Sequence, residues 1–274
     1  HQSANFSGWD VYRSQIPLVA FLEPRIASDM AQSLFNQAKQ NSGVWDRWTH
    51  NTGATHVMAG DPSAIAVSEI YAFGGKHFDA HGALKSLVKA ATVPTPLDLS
   101  RVGSPVLSPG QRPSLDKWLR INYIPTISNA WGGAGETLEA SIADFALAQL
   151  AGRLDDHQTA RDFLRRSQYW QNVFNPNAHA TGGYIQNRNE DGTWPSFNPA
   201  SSSGFAEGSS AQYTWMVPHN LAGLFEAMGG LERVDQRLDS FFHHPDGSWA
   251  LTNAGGLHAE LDNEPSIKTP SLYN

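Results

Sequence analysis

The sequence predicts an all-α fold, a toroid or bundle of helices joined by long loops that carry the site. Three observations lead there. Apolar residues recur repeatedly at helical spacing, nothing alternates with period two for long, and the intervening segments are long and rich in Gly, Pro, Asn and Ser. Loops of that length inside a compact domain are usually functional.

The helices follow in order. After Pro24, Ile26, Met30, Leu34 and Phe35 make one stripe. Leu84, Leu87, Val88 and Ala91 keep the i, i+3, i+4, i+7 pattern behind Asp79, which suits an N-cap. Leu138, Ile142, Phe145, Leu147 and Leu150 form a broad buried face that runs out at Gly152, and Ala160, Phe163, Leu164 and Trp170 form another. The stretch 218–228 has Pro218 at its start, Leu221, Leu224, Phe225 and Met228 along it, and Gly229-Gly230 at its end. A last helix is expected over 231–241. Long loops are expected over 92–117, 175–211 and 244–274, with short strands near 183–186 or 248–251. No fixed-period repeat and no low-complexity linker interrupts the chain, so residues 1–274 read as a single domain.

Composition narrows the chemistry. The chain has no cysteine, which removes disulfides, thiolate metal sites and a thiol nucleophile. A net charge of -7 without Lys/Arg runs argues against nucleic acid or an anionic membrane as partner. No apolar run approaches the roughly 20 residues of a membrane span. The chain starts at His1 without Met, so a targeting segment is expected to be removed or to lie outside it. Charged residues make up only 16%, against about 25% in an average domain, and nine Trp accompany them. Indole faces stack on sugar C–H faces while amides and hydroxyls meet hydroxyl groups, so this composition suits neutral polar ligands. It suits a Trp-rich core equally well.

Five stretches carry candidate chemistry. In "GFAEGSSAQYTWMVPHN", Gly204, Gly208 and Ser209 let the backbone present Glu207 at a loop tip. Phe205, Tyr213, Trp215 and Met216 are expected to desolvate it, lifting its pKa from about 4.3 toward about 6 to 7, the range of a general acid. Gln212 and His219 stand close behind. "LDNEPSIKTP" places Asn263 and Glu264 side by side before a Pro, an amide oxygen and a carboxylate of the kind Ca²⁺ takes, or simply a turn. "NFSGWDVYR" joins Trp9 and Asp10, a stacking ring beside an acceptor of hydroxyl protons; a helix start with Asp10 as cap and Trp9 as core anchor accounts for it as well. Asn5-Phe6-Ser7 in the same stretch fits the glycosylation pattern. "VWDRWTHNTGATHVMAGDP" supplies Arg47, Trp48, His56 and Asp61, where Asp61-Pro62 reads as N-cap and first helical residue. "HFDAH" sets His77 and His81 four apart, but Asp79 as a cap would break the helix between them. No nucleophile elbow, phosphate-binding loop or dinucleotide fingerprint is present.

Together and in this order, "NFSGWDVYRSQ", "DRWTHNTGATHVMAGDP", "YAFGGKHFDAHGALKSLVKAA", "GAGETLEASIADFALAQLA", "NPNAHATGGYIQNRNEDGTW", "GFAEGSSAQYTWMVPHN" and "DNEPSIKTPSLYN" resemble glycoside hydrolase family 92, the calcium-dependent exo-acting α-mannosidases. The resemblance covers nearly the whole chain. It implies an (α/α)6 toroid, here incomplete, preceded in the family by a β-sandwich that this chain lacks. It implies an inverting enzyme with Glu207 as general acid, Asn263 and Glu264 at a Ca²⁺ site, and Trp9 and Asp10 gripping the sugar. Asp61, Gln212 and His219 are expected as further substrate contacts. The implied partner is a mannose-ended glycan, α-1,2-linked, and the implied setting is secreted or periplasmic. In an inverting pair the acid and the base stand about 6.5 to 9.5 Å apart, with the base activating water.

The chain departs from the family pattern in three ways. Ser209 stands where Asn is usual and Asn220 where Asp is usual, changes expected to bear on subsites or linkage preference. The Gly-Asn-Asp…Met-Ser-Ala-Trp segment that carries the base is absent. The 274 residues therefore read as an internal piece, truncated at both ends, inactive alone and partnered by the remainder of its own polypeptide. Another (α/α)6 glycoside hydrolase and a non-catalytic mannose-binding module are the alternatives.

Overall fold

A computed structural model of the protein describes residues 2–50, 53–100, 110–126, 133–253 and 256–274. Helices dominate it, as the apolar spacing predicts: twelve α-helices and five short strands occur among the described residues. The expected 92–117 loop lies partly outside them. Two compact units emerge, one gathering the chain up to Asn122 with Glu139–Gln168, the other 123–126, 133–138 and Tyr169–Asn274.

The first unit opens with β1 (Phe6–Ser7), α1 (Gly8–Val11), α2 (Gln15–Leu22) and α3 (Pro24–Gln40). Pro24 starts α3 because its fixed φ suits the first helical turn and its missing N–H would have no partner there. The face of α3 carrying Ala27, Ala31, Leu34, Phe35 and Ala38 is buried, while Ile26 is exposed. β2 (Trp48–His50) and β3 (Gly53–Ala54) join β1 in an antiparallel sheet of order β1-β2-β3, with Phe6 opposite Thr49 and Thr49 opposite Ala54. Next comes α4 (Pro62–Ala72), which packs with α2 and α3.

Asp79 caps α5 (Ala80–Ala90), accepting from the Gly82 N–H at 2.9 Å. His77 thus precedes the helix and the His77/His81 spacing is not a helical one. α6 (Pro96–Ser100) and α7 (Leu115–Ile121) follow. The long α8 (Gly133–Arg153) buries Leu138, Ile142, Leu147 and Leu150, and α9 (His157–Arg166) is capped by Asp156. Leu164 differs from expectation in being 46% exposed. Leu18, Phe21 and Leu22 on α2, with Phe73, are also exposed.

The second unit pairs β4 (Phe174–His179) with β5 (Gly182–Ile185) in an antiparallel ribbon, register running from Phe174 opposite Ile185 to His179 opposite Gly182. The β5 strand is the one expected near 183–186. Near 248–251 only a single bridge forms, His243 opposite Trp249. Three helices complete the unit: α10 (Ser210–Tyr213), α11 (Leu221–Ala227) and α12 (Leu231–Phe242). Helix α11 starts later than Pro218 suggests, because Asn220 caps it by accepting from Gly223 N–H at 3.0 Å. Trp9, Trp45, Trp118, Trp170 and Trp215 are buried, so much of the tryptophan content builds cores.

Candidate active site

Glu207 sits in the loop that leads into α10. Gly204 (φ +88) begins it, and a Cβ there would fall 1.7 Å from the Asn187 amide nitrogen. Only glycine fits. The rings of Phe205 and Tyr213 then pack at 5.0 Å, and Tyr213 Oη donates to the Ala206 carbonyl at 2.7 Å. These contacts lift the next residue out of the core. Glu207 is exposed and adopts φ +50, the left-handed region that side chains disfavour. A strained backbone of this kind costs of order 1–3 kcal/mol and persists where the surroundings dictate it, often at functional positions. The expected desolvation is not delivered: Phe205, Tyr213, Trp215 and Met216 are all buried in the core and leave the carboxylate outside.

Ser209 and Gln212 close a capping box at the start of α10. Gln212 N–H donates to Ser209 Oγ at 3.3 Å, and Ser209 N–H donates to Gln212 Oε1 at 2.9 Å. Gln212 is 1% exposed, and its Nε2 donates to the carbonyls of Asn253 (2.9 Å) and His258 (3.0 Å). Ser209 Oγ donates to the Gly256 carbonyl at 2.6 Å. The side chain expected to touch substrate is thus a buried brace for the 253–258 loop. His219 is half-buried beside Asn220, just ahead of α11.

That brace leads to the Asn-Glu pair. Asn263 Nδ2 donates to the backbone carbonyl of Glu207, and its Oδ1 accepts from Glu264 N–H at 2.9 Å. Asn263 and Glu264 are half-buried, and next to them the Ser266 hydroxyl is buried with no hydrogen-bond partner. An amide oxygen, a carboxylate and an orphaned hydroxyl in one loop are hard oxygen donors that fit Ca²⁺ in kind. Among the described residues no group of three or more His, Cys, Asp or Glu is gathered to hold a metal. Two adjacent side chains supply only part of the six to eight oxygens that Ca²⁺ takes.

Trp9, Asp10 and Asp61 lie in the first unit. Trp9 is 1% exposed, and its Nε1 donates to Glu139 Oε1 at 2.8 Å. Glu139 also accepts from Tyr12 Oη (3.2 Å) and Arg13 Nη2 (3.2 Å). Burial pushes the Glu139 carboxyl above the ordinary glutamate value, against the pull of Arg13 and of the Trp9 and Tyr12 hydrogen bonds. Gly60 lets the chain pass this carboxylate, since a Cβ there would come within 2.8 Å of Glu139 Cβ. Asp10 is half-buried in the first turn of α1 rather than at its cap; Ser7 holds that position.

Asp61 occupies the N-cap position of α4, followed by Pro62, yet its side chain makes no capping bond. It is 2% exposed and accepts instead from Arg112 Nε (2.7 Å) and Gln111 Nε2 (3.1 Å). Arg112 also reaches Asp144 (2.6 Å), which accepts from Arg166 Nε (2.7 Å) and Trp118 Nε1 (3.3 Å). Burial opposes the charge on Arg112, but Asp144 and Asp61 outweigh it and hold the guanidinium above its usual range. Arg47 donates to the carbonyls of Gly110 (2.6 Å) and His56 (3.0 Å).

Sequence reasoning missed Glu139, Arg112 and Asp144. For Glu139 and Asp144 the available signal was a pair of carboxylates midway along a helix, α8, dominated by Ala and Leu. A cavity of about 800 Å³ also opens in the second unit, walled by Tyr184, Trp215, Arg237, Phe241, His243 and His258 among others. None of the sequence-predicted site residues lines it.

Residues 1–274 match the family model described as the glycosyl hydrolase family 92 catalytic domain. No curated protein matches the chain. Among solved structures, a family GH92 inverting mannosidase from Bacteroides thetaiotaomicron is similar at 26% identity and TM-score 0.76, over 86% of this chain and 30% of that one. A GH92 α-mannosidase from the same organism, solved with mannoimidazole, is similar in fold at 24% identity and TM-score 0.82, over 99% of this chain and 35% of that one. The chain therefore spans about a third of the length of these relatives.

Proposed function

The chain belongs to glycoside hydrolase family 92, and from that premise we propose that its protein removes terminal α-linked mannose, α-1,2-linked by preference, from glycans by a calcium-dependent inverting mechanism outside the cytoplasm. The observation that carries this reading is the hydrogen bond from Asn263 to the Glu207 carbonyl. It joins the two motifs that the resemblance assigns to acid and metal, and it supports their acting at one site. The similarity to a mannosidase described as inverting points the same way.

Glu207 donates its proton to the glycosidic oxygen as the bond to the anomeric carbon breaks. Its exposure in this chain means that desolvation comes from the substrate and from surfaces outside the acid loop. The aromatic packing beneath and the Asn263 contact fix the carbonyl side of the residue, so the side chain is presented outward from a constrained backbone. Asn263 and Glu264 would hold Ca²⁺, which when bound supplies a positive centre that orients sugar hydroxyls and polarises water. The carboxylate that activates water is assigned outside these 274 residues. Trp9, 1% exposed with its indole N–H donated to Glu139, is a core anchor of the first unit and is given no sugar contact in this reading.

The test is mannose release from an α-1,2-mannobioside by the full-length protein, with a chelator and after adding Ca²⁺ back. Release that disappears and returns supports the proposal. Release unaffected by chelation removes the metal from it, glucose release in place of mannose points to a different toroid hydrolase, and binding without turnover points to a mannose-binding module.

A further inference from the structure

We propose that the first unit carries a separate anion-binding site, a cavity of about 390 Å³ walled by Lys39, Lys85 and Lys89 that takes a phosphate or sulfate ester on a small ring-sized body. The chain has six lysines and a net charge of -7, yet three of the six line this one cavity. The acid in the lining directs its hydrogen bonds elsewhere. Asp98 is 2% exposed, and its oxygens already accept from Thr95 N–H (2.8 Å), Thr95 Oγ1 (2.7 Å) and Arg112 N–H (2.9 Å).

Lys85 and Lys89 stand four apart on α5, where like charges repel. Lys39 at the end of α3 lies over the Phe35 ring at 4.4 Å. Compensation of helix ends accounts for Lys39 and Lys89, each in a last turn. It does not account for Lys85, in the middle of α5. All three lysines are exposed, so solvent screens their mutual repulsion, and the gain from an oxyanion held against them lies in charge-assisted hydrogen bonds.

The remaining wall fits the body of such a ligand. Phe35 stacks on Trp45 at 5.6 Å and 8°, and Phe35, Val44 and Val93 give the cavity an apolar side. Trp45 Nε1 donates to Ser86 Oγ at 3.0 Å, which leaves the Ser86 O–H to donate. The volume falls within the roughly 300–1,000 Å³ of small-molecule sites and exceeds what a bare oxyanion fills.

Titration calorimetry on the purified full-length protein tests the site, with glucose 6-phosphate, glucose 6-sulfate, glucose and inorganic phosphate as probes at low and high salt. The expected result is binding of the esters that weakens with salt, no binding of glucose, and weaker binding of inorganic phosphate. Tighter binding of one ester assigns the oxyanion. Lys85→Ala/Lys89→Ala is expected to lose about tenfold or more in affinity with Tm unchanged, Lys39→Met to weaken binding independently, and Lys76→Ala to change nothing. No ester binding, equal binding of glucose, equal binding of inorganic phosphate, or an affinity untouched in both the double variant and Lys39→Met overturns it. Mannose release is not the readout, so this result stands apart from the proposed activity.

Discussion

Asn263 donates its side-chain amide to the backbone carbonyl of Glu207, 56 residues earlier in the chain. The contact falls on the one non-glycine residue of the acid loop with a positive φ, so it holds a strained backbone from outside the loop. Asn263→Ala is expected to lower mannose release about tenfold or more and to raise the Ca²⁺ concentration for half-activity, with Tm shifted little because the contact is exposed. Steady-state rates across a Ca²⁺ titration check this. Unchanged rates at every Ca²⁺ level would separate Asn263 from the site.

Glu207 divides by substrate. Glu207→Gln is expected to cost several orders of magnitude on poor leaving groups and far less on activated aryl mannosides, which need no protonation. Equal losses on both remove Glu207 as the acid. Glu207→Gly is expected to be equally inactive on poor leaving groups with Tm unchanged or raised, because glycine accepts φ +50 without strain.

Removing the brace should be felt in stability first. Gln212→Ala deletes a capping box and leaves the carbonyls of Asn253 and His258 without their donor. A lost cap costs about 1 kcal/mol, and the two acceptors, being only part-buried, each cost about 1 kcal/mol, the low end for an unsatisfied acceptor, so a loss of about 3 kcal/mol is expected from the denaturant midpoint. A loss below about 0.5 kcal/mol, the size of an ordinary surface change, contradicts the bracing role.

Asp144 has no surface to retreat to. Asp144→Ala leaves Arg112 and Arg166 buried with one partner fewer and is expected to cost about 3–5 kcal/mol, read from chemical unfolding. A smaller loss means that the cavity fills with water or that the arginines repack.

Glu139 gives a pH signature. Its folded carboxyl is raised above the ordinary glutamate value of 4.5 by burial. Below that value both folded and unfolded states are protonated, and the contribution is fully present; as pH rises through the folded value, the contribution is lost. Glu139→Gln lacks this titration. The difference in Tm between variant and wild type is therefore expected to move in favour of the variant from pH 4 to pH 7, and a constant difference would show that the Arg13 pair cancels the burial.

What the sequence discloses depends on which force shapes each element. Helices α3, α5 and α12 are amphipathic, so spacing alone finds them. Helix α2 is apolar on every side, with Leu18, Phe21 and Leu22 facing out, and periodicity has nothing to detect. Strand β4 hides behind Pro176, which reads as loop but is tolerated in a two-stranded ribbon. In the site, the acid loop and the Asn-Glu pair are visible as motifs, while their contact is not, because nothing local encodes an approach across 56 residues. Gln212 is the instructive miss. Ser209-x-x-Gln212 is a capping-box pattern legible in advance, and read so it removes Gln212 from the expected substrate contacts. Both departures from the family pattern, Ser209 and Asn220, are likewise helix caps, a position where Ser, Asn and Asp are nearly interchangeable.

Four hydrogen bonds tie 207–212 to 253–263: Asn263 to Glu207, Ser209 to Gly256, and Gln212 to both Asn253 and His258. The two stretches are therefore a single cassette split by sequence. A chimera that imports either one from a relative without the other breaks those bonds, and one that imports both keeps the acid loop and the Asn-Glu pair in register whatever helices lie between.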